Sequence, residues 1–99
     1  MPLQIEVDHD SIAEFCRRNA VRRLAFFGSV IRDDFTQGSD VDVLVEFLPD
    51  AKVSFFDMAD MEAELSGLIG RRVDLRTLQE LSRYFRDEVT AEAVEEYVA

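Results

Sequence analysis

Cysteine and histidine occur once each in this 99-residue chain, as Cys16 and His9, and glycine occurs four times. A single thiol excludes an internal disulfide framework. Set among apolar helix positions with no histidine near it in sequence, Cys16 reads as a small core residue and not a nucleophile. His9, without supporting groups, reads as a surface residue ahead of a helix cap. No run approaches the roughly 18 apolar residues of a membrane span, and Met1-Pro2-Leu3-Gln4 lacks a basic-then-apolar leader pattern. The expectation is a cytoplasmic protein with no membrane partner. Basic residues are also few: 11 Lys and Arg against 21 Asp and Glu give a net charge of −10. Nucleic acids are held largely through Lys and Arg, so no direct nucleic-acid partner is expected. Such acidity fits association with a basic protein and equally fits a small protein kept soluble by its charge.

What is present is a folding composition, 47% hydrophobic with ten Phe and Tyr. At this length it should form one domain, 1–99, with a single core. Residues 1–9 carry little signal. Ser11 and Glu14 have capping-box spacing, and Ile12, Phe15 and Cys16 follow at helical periodicity, which predicts a helix over 10–19. Leu24-Ala25-Phe26-Phe27 is too compact an apolar run for a helix and reads as a central strand. Ser54 with Asp57 caps a second helix bearing Met58, Met61, Leu65 and Leu68 on one stripe, with Gly70 placed to end it in a left-handed conformation. A strand around Val73-Asp74-Leu75 follows, completing a crossover unit. Thr77 and Glu80 form another capping box, opening a helical stripe of Leu78, Leu81, Phe85 and Val89. Tyr84 and Tyr97 read as core or interface aromatics. Residues 90–99 fit a helix or a short edge strand, and Glu92, Glu95 and Glu96 read as a solvated acidic face.

The stretch 26–47 organises the chain. It begins as an apolar run ending in Gly28-Ser29, passes through a polar loop, and ends in an alternating run that carries Asp40 and Asp42. Alternation puts these two aspartates on one side of a strand, roughly 6.6 Å apart along the backbone. Two carboxylates so close raise each other's pKa, and a hard, oxygen-preferring divalent cation such as Mg²⁺ relieves the conflict. Gly28 allows backbone N–H groups to approach a ligand, and Ser29 at the start of a helical turn offers a hydroxyl and an amide to phosphate. Together these features describe a metal-nucleotide site.

Gly28-Ser29, ten residues and then Asp40-Val41-Asp42 resembles the signature of the DNA polymerase β-like nucleotidyltransferase superfamily. The short chain is similar to the minimal nucleotidyltransferases that act as antitoxins beside HEPN-domain toxins. That resemblance implies an α/β (α+β) fold with a small mixed sheet flanked by helices. It also implies a third catalytic carboxylate on a later strand, a position that Asp74 matches. The implied catalytic and metal-holding residues are Asp40, Asp42 and Asp74, with two Mg²⁺ ions and ATP as substrate. Gly28, Ser29 and Arg32 would bind the nucleotide; Arg32 matches an arginine of the family's loop, open to a phosphate contact or an ion pair with Asp33 or Asp34. The implied activity is AMP transfer to a hydroxyl of a cognate HEPN ribonuclease toxin, most naturally a tyrosine. Two alternatives stay open: an antitoxin that neutralises by binding alone, and a transferase acting on a small molecule.

Overall fold

The computed structural model describes residues 5–32, 35–36, 38–81 and 83–99. Seven main elements follow in order: α1 (His9–Arg18), β1 (Val21–Phe27), β2 (Val41–Phe47), α2 (Phe55–Ile69), β3 (Val73–Arg76), α3 (Arg83–Glu92) and β4 (Val94–Val98), with short 3₁₀ turns at Gly28–Ile31 and Leu78–Glu80. The strands form one mixed sheet in the order β3-β2-β1-β4. β1 runs antiparallel to β2 and β4, and β2 runs parallel to β3 through α2, the expected crossover.

The core lies on one face of the sheet. Leu24, Phe26, Val41, Val43, Val45, Val73 and Leu75 pack there with Ile12, Phe15 and Cys16 of α1 and Met61 and Leu65 of α2. Cys16 is fully buried, and burial pushes its thiol pKa up to about 12, so it is a core residue as expected. Two side chains of α2 also protect the open edge of β3: Ser66 Oγ accepts from the Val73 N–H at 3.0 Å and Glu62 Oε2 from the Leu75 N–H at 2.9 Å. These bonds satisfy edge amides that would otherwise invite another strand. Gly70 ends α2 at φ +77, as expected.

Several expectations are corrected. The cap of α1 is Asp8, whose carboxylate accepts from the Asp10 and Ser11 amides and from the Ser11 hydroxyl. An acceptor three residues earlier starts the helix sooner, so Ser11 lies inside the first turn and His9 follows the cap. β1 begins at Val21, because Arg22 and Arg23 find cross-strand carboxylates: Arg22 with Glu46 at 3.0 Å, Arg23 with Glu95 at 2.7 Å and with Glu46 at 3.2 Å. The Thr77–Glu80 box caps only the turn at Leu78–Glu80, and Leu81 leaves it in an extended conformation. α3 starts afresh at Arg83 and buries none of its residues, and Tyr84 is exposed, not core. The ambiguous end is an edge strand, β4, with Tyr97 packed on the core. The acidic residues of the C-terminal stretch are paired and not merely solvated: Glu92 at the end of α3 with Arg32, and Glu95 and Glu96 of β4 with Arg23 and His9. The Asp33 and Asp34 alternatives for Arg32, and residues 1–4, lie outside the described residues.

Candidate active site at the carboxylate face

Opposite the core, β2 and β3 present their polar residues. The parallel register aligns Asp42 directly with Asp74, and the antiparallel register aligns Asp42 with Phe27 on its other side. Neighbouring strands lie about 4.8 Å apart, so the two aspartates are next to each other on the ladder. The chain leaves β1 through Gly28 at φ +74, in the left-handed region that favours glycine. Asp42 lies over that bare backbone: a Cβ added at Gly28 would stand 3.1 Å from Asp42 Cγ and well inside contact of Oδ2. The Gly28 and Asp42 of the motif therefore fit together sterically. Ser29 is half-buried in the turn that follows, and its carbonyl accepts from the Arg32 N–H at 2.9 Å.

Asp40 is exposed and stands just before β2, while Asp42 and Asp74 are half-buried. Burial raises the pKa of Asp42 above the usual carboxylate range, the charges of Asp74 and Asp40 raise it further, and Arg76 and Arg32 act against them. Four charged groups around this corner thus act on one carboxyl. Asp74 is gripped by Arg76, whose Nε lies 3.0 Å from Oδ1 and whose Nη2 lies 3.3 Å from Oδ2. Arg32 is turned to Glu92, with Nη2 at 3.3 Å. The structure therefore brings Gly28, Asp42 and Asp74 into immediate proximity, keeps Asp40 close enough to act on Asp42, and holds Arg32 at the rim.

Among the described residues, no three acidic, histidine or cysteine side chains converge as a ready clasp for an ion. The donor chemistry nonetheless suits a hard divalent cation: oxygen ligands only, two of them on adjacent residues, with the Asp42 carboxylate seated in the room left by Gly28. Asp74 would exchange Arg76 for that ion. Arg76 is the residue that reading the sequence missed. Its signal was its place two residues after Asp74, on the same face of the strand.

The nucleotidyltransferase domain family matches residues 9–99 of the chain. The chain belongs to that family. The nucleotidyltransferase is 33% identical over 78 residues to a Methanocaldococcus jannaschii protein assigned to the protein adenylyltransferases, covering 79% of this chain and 82% of the relative. It is 39% identical over 62 residues to the protein adenylyltransferase MntA of Thermococcus cleftensis, covering 63% of this chain and 61% of that one. Among solved structures, one assigned to the minimal nucleotidyltransferases superposes with a TM-score of 0.72 at 32% identity, covering 87% of this chain and 86% of the other. A toxin–antitoxin crystal structure with AMP-PNP superposes at 0.75 and 18% identity, covering 94% and 75%, and shows the fold is shared. The four-stranded mixed sheet with its three helices is thus the nucleotidyltransferase fold expected from the motif. Among the described residues, no helix is long and apolar enough to cross a membrane.

Proposed function

We propose that the chain, as a single domain over 1–99, transfers AMP from ATP to a tyrosine hydroxyl of a HEPN-domain ribonuclease toxin in the cytoplasm and so acts as its antitoxin. The observation that carries this is the seating of Asp42 between the bare backbone of Gly28 and the aligned Asp74. Two likenesses support the acceptor: a solved relative is a toxin–antitoxin complex with AMP-PNP, and another is a tri-AMPylated HEPN toxin with its MNT antitoxin.

Asp40, Asp42 and Asp74 would hold two Mg²⁺ ions, which when bound supply positive charge to the attacking and leaving oxygens of an in-line displacement. Gly28 and Ser29 present backbone and hydroxyl groups to the phosphates, and Arg32 adds charge from the rim. The acceptor oxygen forms its bond to the α-phosphorus as the bond to the α–β bridging oxygen breaks. Pyrophosphate leaves with that electron pair, and the hydroxyl proton passes to a carboxylate of the Asp42–Asp74 pair.

The test is transfer of α-phosphate label from ATP to a HEPN partner in the presence of Mg²⁺. Label should appear on the partner with pyrophosphate released, and Asp42→Asn should abolish both. Undiminished neutralisation of the toxin in cells by an Asp40→Asn, Asp42→Asn double variant, with no label transferred by the wild type, would overturn the reading in favour of binding alone.

A further inference from the structure

The start of α2 leaves two large aromatic side chains in water. Phe55 and Phe56 are 83% and 78% exposed, and their rings meet each other edge to face, 6.1 Å between centroids and 79° between planes. The helix is capped by Ser54 and Asp57 and buries Met61 and Leu65, so both rings stand outside its cap and its buried stripe. Aromatic rings grouped in the open on a regular element mark a surface that another molecule covers.

Phe55 also opens onto a groove of about 350 Å³ along the outer edge of β3. One wall is the face of α2 made by Phe55, Met58, Ala59 and Glu62, which share a side of the helix at i, i+3, i+4 and i+7. The other wall is Asp74 and Arg76 of β3 with Glu80 of the following turn. Arg76 is held by Asp74 at 3.0 Å and by Glu80 at 3.7 Å, and three carboxylates to one arginine leave the groove net negative. α2 adds to that field, carrying Asp57, Asp60, Glu62 and Glu64 and no basic residue. A groove of this make-up is complementary to an aromatic group on a segment rich in Lys or Arg.

Its position relative to the reacting atoms decides which group that is. The strand order β3-β2-β1 puts Gly28 on one side of Asp42 and Asp74 on the other. An in-line displacement needs its attacking oxygen opposite the departing one. With the phosphates at Gly28 and Ser29, pyrophosphate leaves on the β1 side, and the hydroxyl arrives from the β3 side, where the groove runs up to Asp74. We infer that this groove, with Phe55 and Phe56 at its mouth, docks a basic protein segment that carries the acceptor tyrosine; the inference rests on the nucleotidyl-transfer reading. The tyrosine ring lies against Phe55 and Met58 with its hydroxyl toward Asp74, and the Lys or Arg side chains around it meet the carboxylates of the groove and of α2.

The experiment compares the full chain with its Phe55→Ser, Phe56→Ser double variant, in calorimetric titration against a HEPN partner and against ATP, and in transfer kinetics. Both side chains are exposed, so the melting temperature should hold. Partner affinity should fall about 10- to 100-fold, the scale of lost aromatic anchors, and the KM for the partner should rise with it, while ATP affinity stays within about 2-fold. Ala59→Arg should weaken the partner more than Ala59→Glu, an equally good helix former of opposite charge. Unchanged partner affinity in the double variant, or equal loss from the two Ala59 variants, overturns the docking site while leaving nucleotidyl transfer intact. Self-association of the wild type that the double variant abolishes, with the partner unaffected, assigns the rings to a second copy of the chain and overturns it likewise. Docking that depends on Phe55 and Phe56 without transfer of label overturns the transfer reading and, with it, the groove's role as an acceptor site. A wild type that binds no HEPN partner overturns both.

Discussion

Val43 and Asp42 are consecutive on β2, yet they belong to two differently built halves of the molecule. Val43 is fully buried with Leu24, Phe26 and Leu75 under α1 and α2. Asp42 shares its face with Asp74, Arg76, Glu46 and Arg23, where burial outside the main core is confined, among the described residues, to Ala25 and Leu44. One face holds the sheet together through apolar contact, and the other carries charged groups, among them the adjacent carboxylates of Asp42 and Asp74. The difference teaches that stability and chemistry are separable here by strand parity: a change on one face should be read in melting, and a change on the other in transfer.

The largest effect should come from the buried face. Phe26→Ala removes a fully buried ring and should cost about 3–5 kcal/mol, with loss of transfer tracking loss of folded protein in denaturant titrations. A variant that stayed as stable as wild type but lost transfer would break the division between the faces.

How far this division was legible in the sequence depends on the range of the interaction. The carboxylate face was readable because Asp40, Asp42 and Gly28-Ser29 lie within one short stretch and Asp74 falls on a plainly patterned strand. Gly70 and the Ser54–Asp57 box were readable because their partners are three or four residues away. The start of β1 was not, since Arg22 and Arg23 are admitted to the strand by Glu46 and Glu95, far along the chain. Nor was the break before α3: the stripe Leu78, Leu81, Phe85 and Val89 has helical spacing throughout, but spacing alone did not show that Leu81 is extended. Arg76 was missed although it stands two residues from Asp74 on the same face, because that spacing does not by itself say which nearby carboxylate the arginine grips.

An intermediate effect is expected where the faces meet the loop. Gly28→Ala places a methyl group against Asp42 and strains a positive φ, and should cost roughly 1–3 kcal/mol. Unlike Phe26→Ala, it should depress transfer more than the loss of folded chain explains, measured as turnover per folded molecule.

The smallest effect runs in the opposite direction. Asp42 has its pKa raised in the folded state, so the native chain binds a proton more readily than the unfolded chain. Stability contributed by this group is therefore lost as pH rises above the ordinary aspartate value of 3.8 and through the raised one. Asp42→Asn should remove that loss and raise neutral-pH stability by about 1 kcal/mol while abolishing transfer. Melting curves from acid to neutral pH check it, and the variant's profile should be flatter over the window in which the wild type weakens. A less stable Asp42→Asn at neutral pH would show that the carboxylate supports the fold.

The seat that Gly28 offers Asp42 binds the fates of two positions fourteen residues apart. Any side chain introduced at 28 evicts the acid. A copy of this protein released from its chemistry is free to fill the vacancy from both sides at once, trading glycine and aspartate for a plug of ordinary packing. A copy still under selection for transfer can alter neither, so the two should be retained or surrendered together.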